Sequence, residues 1–286
     1  MQIGIFAKVF VRSTLEESLD AVRACGLASV QFNLATAGLP PLPDHLDSHL
    51  CERIRQALAD RAITMAAVSG TFNMCHPDPE HRRIGLARLR VLAEACGRLG
   101  TSVIALCTGT RDPQDMWRRH PDNDTSEAWR DMAATMREAV RIAESAGVTL
   151  AFEPEVSNVV DSALKARRLL DEIASPQLKV LMDAANLFHA GQLPRMREVL
   201  EEAFSLLGQD IALAHAKDLI RDGEAGHEAA GYGLLDYDLY LSLLRASGFR
   251  GAIVLHGLTE QQVPQCVAFL RAKLVGMCTS GPPAHG

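Results

Sequence analysis

The sequence contains few aromatic residues and no long apolar run. Phe, Tyr and Trp together make up 5% of the 286 residues, although hydrophobic residues reach 48%. No apolar run approaches the roughly 20 residues that a transmembrane helix needs. Polar residues at Arg12, Ser13 and Glu16 follow the first strand-like run at once, where a secretory signal would carry a long apolar segment. We therefore predict a cytoplasmic protein that has no membrane partner.

The sequence also lacks a net positive charge, paired cysteine spacings and a dinucleotide-binding motif. The formal net charge of −6 offers no bulk attraction to nucleic acid, so we expect no nucleic-acid partner. Seven cysteines without a CxxC spacing indicate reduced thiols rather than a disulfide framework or a structural zinc site. The absence of GxGxxG after the first strand argues against a doubly wound open sheet, which is the competing architecture.

Eight short apolar runs alternate with helix-like stretches along the chain. The runs are QIGIFA, SVQFN, ITMAAV, SVIALC, TLAFE, KVLMD, IALAH and AIVLH. Several helix-like stretches end in a glycine that can adopt left-handed backbone, at Gly26, Gly100, Gly147 and Gly248. Eight strand-then-helix units predict the α/β class, as a single (β/α)8 TIM barrel over residues 1–274. We predict that residues 275–286 form a disordered tail.

A polar residue ends each of the last four predicted strands. Because the C-terminal ends of parallel barrel strands meet at one mouth, these residues would converge there. One such residue alone is usually a helix cap or a hydrogen-bonded core residue. Two buried carboxylates close together are costly without a cation, however. The carboxylates and imidazoles together predict a divalent metal site, for Mn²⁺, Co²⁺, Zn²⁺ or Mg²⁺, at Glu153, Asp183, His215 and His256.

Several motifs resemble the xylose-isomerase-like TIM-barrel sugar isomerases and epimerases, a family that also includes inosose dehydratases and an endonuclease branch. The motifs are FEPE at Glu153, LMDAAN at Asp183, HAKD at His215 and the late run GYGLLDYDLYLSLLRASGFRGAIVLHG. The resemblance covers about residues 1–274 and implies that these three residues bind the metal. The chain departs from the family at His256, where the ketose epimerases have a second Glu. Imidazole can bind a metal and can also shuttle a proton near neutral pH.

The resemblance also implies residues that contact the substrate. Arg221, six residues after His215, matches the substrate-binding arginine of the family. Asn186, three residues after Asp183, stands where some ketose epimerases have a substrate-binding histidine. Family members are often dimers or tetramers, so the resemblance implies a homo-oligomer.

Further candidates for substrate contact come from positions on the same side of the barrel. Glu155 lies two residues beyond Glu153, and His76 lies in the loop after the third strand. Lys217 follows the seventh strand, and we expect it to pair with Asp218 or to orient the site. Direct catalysis by Lys217 would require burial.

These residues predict a divalent-metal-dependent isomerase or epimerase. Its partner would be a sugar, an inosose or a related polyhydroxy ketone, which reacts through an enediolate. Glu153 would act as the base, and His256 would deliver or accept a proton on the other side. Two alternatives stay open: a dehydratase in which the same enediolate expels a β-hydroxyl, and a metabolite-binding barrel whose catalysis has lapsed. Endonuclease action is disfavoured by the acidic charge and the lack of a basic stripe.

Overall fold

Eight parallel strands close into a ring. The computed structural model describes residues 1–279, with side chains as far as residue 276. Strand β9 pairs with both β1 and β7, which closes the barrel, and the two-residue β8 pairs antiparallel with β7 outside it. The strands of the described chain are β1 (Gln2–Phe6), β2 (Ser29–Phe32), β3 (Thr64–Ser69), β4 (Val103–Cys107), β5 (Thr149–Glu153), β6 (Leu178–Asp183), β7 (Ile211–Asp218), β8 (Glu228–Ala229) and β9 (Ala252–Leu255).

An α-helix follows each barrel strand and covers the outside of the ring. The predicted (β/α)8 barrel is therefore confirmed. The four glycines predicted to end helices all have positive φ, between 68° and 88°. Only glycine adopts this backbone without steric cost, which is why the glycines marked the helix ends correctly. The α-helices are α1 (Leu15–Ala24), α2 (Ser48–Ala59), α3 (Pro79–Leu99), α4 (Ser126–Ala146), α5 (Ala163–Ile173), α6 (Met196–Leu207), α7 (Tyr237–Ala246) and α8 (Val263–Thr279).

The barrel interior changes from apolar to polar along its axis. Small residues such as Ala105 and Ala151 alternate with large ones such as Leu181, Leu213 and Phe6, and together they form a closed apolar cluster. Such interdigitation fills the ring without leaving a channel. Beyond this cluster, at the C-terminal ends of the strands, polar side chains take over. Because the apolar cluster occupies the barrel interior, we expect a ligand of the barrel to bind at this polar mouth.

The C-terminal helix extends beyond the predicted boundary of the barrel. Helix α8 continues to Thr279, so residues 275–279 of the predicted disordered tail are helical. Residues 280–286 of that tail lie outside the described residues. The tail prediction rested on the Gly- and Pro-rich end of the sequence, whereas the helical hydrogen bonds continue past residue 274. None of the helices in residues 1–279 combines the length and apolar character needed to cross a membrane.

Candidate active site

The ends of β5, β6, β7 and β9 bring the four predicted metal ligands to one mouth of the barrel. Glu153 and Asp183 are the last residues of β5 and β6, and His256 follows the last residue of β9. His215 lies within β7, in direct register with Asp183 across the β6–β7 pair. Glu153, Asp183 and His215 are buried, with 8%, 1% and 2% exposure. The strand ends therefore gather residues that are up to about a hundred positions apart in the chain.

Asp183, His215 and His256 form a tight group of potential metal-binding atoms. One ligand atom from each lies within 4.8 Å of the other two. His215 Nδ1 is 3.5 Å from Asp183 Oδ2, and the two imidazole centroids are 4.9 Å apart. Glu153 is not within that mutual distance of all three residues, but it borders the group, with its Oε1 3.4 Å from His215 Nδ1. The structure thus brings all four residues together, three of them closely.

Among the described residues, each of the three side chains in this group has a buried polar atom without a hydrogen-bond partner. The atoms are Asp183 Oδ2, His215 Nδ1 and His256 Nδ1. Buried polar atoms almost always have a partner, so three together call for an explanation. A carboxylate oxygen and two imidazole nitrogens are the donor atoms that divalent transition metals bind. The donor set therefore fits a divalent metal ion.

The carboxylates of Glu153 and Asp183 favour positive charge between them. Burial opposes a charge on His215, but the two carboxylates raise the pKa of His215 to about 9. Burial likewise opposes ionisation of Asp183, yet Lys217 and His215 hold the pKa of Asp183 below its usual value. Burial, with the charges of His215 and Lys217, holds the pKa of His256 well below its usual value, so its imidazole is neutral. The space beside His215 Nδ1 thus takes either a proton or a metal cation.

Gln31, in the middle of β2, orients the His215 ring. Its Nε2 donates to Ser69 Oγ at 3.2 Å, and its Oε1 lies 2.8 Å from His215 Nε2. Because a carbonyl oxygen only accepts hydrogen bonds, the neutral ring carries its proton on Nε2 and turns the Nδ1 lone pair toward Asp183. Gln31 was not predicted from the sequence. The available signal was a lone glutamine among the apolar residues of SVQF.

A cavity of about 520 Å³ opens above this group. Lys8, two residues after the end of β1, also lines the cavity. It was not predicted, although it too is a polar residue that follows an apolar strand-like run. Trp117, on the loop after β4, is 51% exposed and covers part of the cavity. Aromatic faces beside polar groups are typical of sites that bind polyhydroxy compounds. The wall is formed by Phe6, Lys8, Gln31, Asn33, Pro41, Ser69, Thr71, Met116, Trp117, Glu153, Glu155, His215, Lys217, Ala225 and His256.

Two predicted substrate-contacting residues, Glu155 and Lys217, lie on the cavity wall. Burial, and then the charge of Glu153, raise the pKa of Glu155 to about 8, so its carboxyl is largely protonated at neutral pH. A protonated carboxyl can donate a hydrogen bond as well as accept one. Burial opposes the charge of Lys217, but nearby carboxylates, Asp183 foremost, raise the pKa of Lys217 above its usual value. The cavity therefore presents a neutral acid and a charged ammonium.

Lys217 and Asp218 do not pair with each other, so the pairing predicted from the sequence is wrong, and the alternative prediction, that Lys217 orients the site, stays open. Successive residues of a strand face opposite sides, so the two side chains diverge. Lys217 Nζ lies 3.4 Å from Asp183 Oδ2, on the cavity side. Asp218 instead accepts hydrogen bonds from three backbone N–H groups of residues 219–235. Asp218 thus holds the loop after β7, and Lys217 belongs to the site.

The other three predicted substrate-contacting residues lie off the cavity wall. Asn186 is fully buried, and its amide donates to Glu153 Oε1 at 2.7 Å and accepts from the N–H of Gly226 at 2.8 Å. Both ring nitrogens of His76 contact backbone groups, and its ring stacks on another histidine. Arg221 is exposed and pairs with a glutamate of its own loop. Asn186 therefore positions Glu153, while His76 and Arg221 are occupied by neighbours outside the cavity.

A family model described as xylose isomerase-like TIM barrel matches residues 19–273. SgbU of Haemophilus influenzae, provisionally named as an L-ribulose-5-phosphate 3-epimerase, is 23% identical over 284 residues, which cover 95% of this chain and 94% of SgbU.

Solved structures share the fold of this chain along its length. The IolI protein, solved with a zinc atom, has a TM-score of 0.74 and 18% identity, and the match covers 98% of this chain and 100% of that one. D-psicose 3-epimerase of Clostridium cellulolyticum H10, solved with D-tagatose, has a TM-score of 0.72 and 17% identity, covering 96% and 99%. At these identities the likeness establishes the fold.

Proposed function

Because this chain belongs to the xylose isomerase-like TIM-barrel family, we propose that it is a divalent-metal-dependent isomerase or epimerase. Its substrate would be a sugar, an inosose or a related polyhydroxy ketone. The observation that carries this proposal is the group of buried ligand atoms on Asp183, His215 and His256 that lack a hydrogen-bond partner, beneath a cavity that Glu153 also lines. The epimerase name of SgbU, the zinc atom of IolI and the D-tagatose of the Clostridium enzyme support it.

Asp183, His215 and His256 would hold the metal ion, with Glu153 beside them. When bound, the ion supplies a Lewis acid that polarises a substrate carbonyl and a neighbouring hydroxyl. Gln31 contributes by keeping the His215 lone pair directed into the site. The apolar cluster beneath the site and the burial of Asp183 and His215 lower the local dielectric, which strengthens their electrostatic interactions.

Glu153 is the proposed base, which removes the proton from the carbon next to the carbonyl. The Asn186 amide holds its carboxylate through Oε1 at 2.7 Å, and the side chain reaches the cavity wall. The electron pair of the C–H bond then forms the double bond of an enediolate, and the carbonyl oxygen becomes negative. Return of a proton to the opposite face of this carbon gives an epimer, and return to the neighbouring carbon gives an isomer.

His256 is the proposed proton carrier on the other side of the substrate. Its ring is neutral and lies edge-on to Phe6 at a centroid distance of 5.1 Å, which fixes its position on the cavity wall. A neutral imidazole has one nitrogen that can accept a proton, so His256 would carry the proton when that nitrogen is not holding the metal.

A dehydratase is the second candidate, and Glu155 favours it. This carboxyl lies on the cavity wall and is largely protonated at neutral pH, because burial raises its pKa to about 8. A neutral carboxylic acid can donate its proton to a departing hydroxyl, which is the step that elimination of water requires.

The test of the proposed function is a panel of ketoses and inososes in deuterated water. We expect the metal-loaded protein to incorporate deuterium at the carbon next to the carbonyl of at least one substrate, as read by NMR. Mass spectrometry then separates the two candidates, because isomerisation retains the oxygen atoms and dehydration loses one water. A metal-loaded protein that exchanges no proton on any member of the panel would contradict both candidates and favour a binding protein.

Gln31→Leu is expected to weaken metal binding, because the His215 ring loses the acceptor that sets its tautomer. Loss of such an orienting hydrogen bond typically lowers metal affinity by about 10- to 100-fold. Titration calorimetry with Mn²⁺ or Zn²⁺ measures this directly. Gln56→Leu, on the exposed surface of α2, is the matched control and should bind like the wild type. Equal affinity in Gln31→Leu would contradict the role of Gln31 in orienting His215 for the metal.

A further inference from the structure

Lys217 is a buried charged residue of the cavity that the mechanism above does not use. It is 6% exposed and lies on the cavity wall. Its ammonium forms an ion pair with Asp183, with Nζ 3.4 Å from Asp183 Oδ2. An ammonium that served only to neutralise Asp183 would approach it to about 2.8 Å. An ammonium has three N–H donors, so donors beyond the one facing Asp183 remain for a group that enters the cavity, which Lys217 lines.

Two glycines hold the aliphatic part of Lys217 in place. A Cβ atom on Gly257 would lie 2.9 Å from Lys217 Cδ, and one on Gly226 would lie 3.2 Å from Lys217 Cε. The backbone is fixed as well, because Tyr237 Oη donates to Lys217 O at 2.8 Å. The side chain thus runs through a slot that only glycines leave open. Such a slot costs the lysine its rotamer freedom and sets the position of its ammonium.

We propose that Lys217 is a catalytic residue whose ammonium donates a hydrogen bond to the substrate oxygen on which negative charge develops. This inference rests on the proposed function and adds a residue to it. As Glu153 takes the carbon-bound proton, the C–H electron pair becomes part of the new double bond and the carbonyl pair moves onto oxygen. Lys217 forms and breaks no covalent bond in this step. A fixed positive donor beside the developing charge stabilises the transition state more than the ground state.

Lys217→Met tests the proposal, because methionine keeps the length and apolar stem of the side chain and removes the charge. We expect kcat for deuterium exchange to fall by about 10²- to 10³-fold, the usual cost of losing one oxyanion donor. KM should change by less than threefold, and metal stoichiometry by mass spectrometry should stay at the wild-type value. The matched control is Lys179→Met, which removes a strand lysine paired with Asp210 away from the cavity, and it should retain the wild-type kcat.

The glycine slot provides a second, independent variant. Gly257→Ala should displace the Lys217 stem and lower kcat, both because of the close contact and because Gly257 has a φ of +67°. In the Lys217→Met background the same glycine change should lower kcat by a smaller factor than in the wild type, since there is no ammonium left to misplace and only the strain at the φ of +67° remains. Such non-additivity indicates that the two residues act together. Fully additive losses would mean that Gly257→Ala lowers kcat by disturbing the fold. The proposal that the glycine slot positions Lys217 would then be wrong.

Binding measurements separate failure of this inference from failure of the proposed function. A sugar hydroxamate imitates the planar, anionic enediolate, whereas the corresponding alditol is neutral. Lys217→Met should weaken hydroxamate binding at least tenfold and alditol binding less than threefold. Wild-type exchange without any loss in Lys217→Met would overturn the lysine role alone. Loss of metal from Lys217→Met, or equal hydroxamate affinity in the two proteins, would also overturn it, while absent wild-type exchange on all substrates would reject the proposed function.

Discussion

Glu153→Gln should eliminate deuterium exchange at the carbon next to the substrate carbonyl. The substitution keeps the shape of the side chain and an oxygen that can accept the 2.7 Å hydrogen bond from Asn186, so the fold and the cavity should persist. It removes the carboxylate that ends β5 and lies 3.4 Å from His215 Nδ1. General base catalysis contributes about 10²- to 10⁴-fold, so we expect exchange to fall by at least about 10²-fold. NMR of substrate incubated in deuterated water measures the loss.

The control for this change is Glu138→Gln, which neutralises an exposed glutamate on α4 and should leave the exchange rate unchanged. Metal content should be measured in both variants, since Glu153 also lies 3.4 Å from His215 Nδ1. Retained exchange in a fully metal-loaded Glu153→Gln protein would exclude Glu153 as the base. Loss of exchange together with loss of metal would assign Glu153 to metal binding instead.

Asp183→Asn should abolish tight metal binding. Asp183 is the carboxylate within the group of three ligand residues, and it is 1% exposed. An amide oxygen carries no charge, so the cation would lose its strongest electrostatic partner in a low-dielectric site. A ligand present at 100 times its dissociation constant stabilises the folded state by about 2.7 kcal/mol. Wild-type protein should therefore melt at a higher temperature with Mn²⁺ or Zn²⁺, and Asp183→Asn should show no such shift.

Asp210→Asn is the matched control, because it removes a partly buried aspartate that pairs with Lys179 and Arg167 outside the cavity. Its melting temperature should still rise when metal is added, and a chelator should reverse the rise. A metal-induced shift of wild-type size in Asp183→Asn would place the cation elsewhere. The metal proposal for the three residues would then be wrong.

The strands and the candidate ligands were predictable because their signals are local. Glu153 and Asp183 end short apolar runs typical of buried parallel strands, and His215 lies near the end of another. Parallel strands in a barrel all point their C-terminal ends to one mouth, so finding the strand ends was enough to bring these residues together. Asp183, His215 and His256 each have a buried ligand atom without a hydrogen-bond partner, as expected for the predicted cation site.

The contacts that orient the site were not predictable, because their partners are far apart in sequence. Gln31 contacts His215 across 184 positions, and Asn186 contacts Glu153 across 33. The direction of Lys217 also depended on packing, since the alternation of a strand shows that Lys217 and Asp218 diverge without showing which one faces the cavity.

The amino-acid pattern alone determined that this chain is a (β/α)8 barrel with acidic and imidazole groups at its mouth. The spacing of apolar residues and the positions of helix-ending glycines are local properties of the sequence, so they can be identified without the folded structure. Only the tertiary structure decided that Gln31 orients His215, that Asn186 supports Glu153, and that Arg221 pairs within its own loop. Hydrogen bonds and charge pairs depend on distances of a few ångströms between distant segments, and those distances exist only once the barrel has closed.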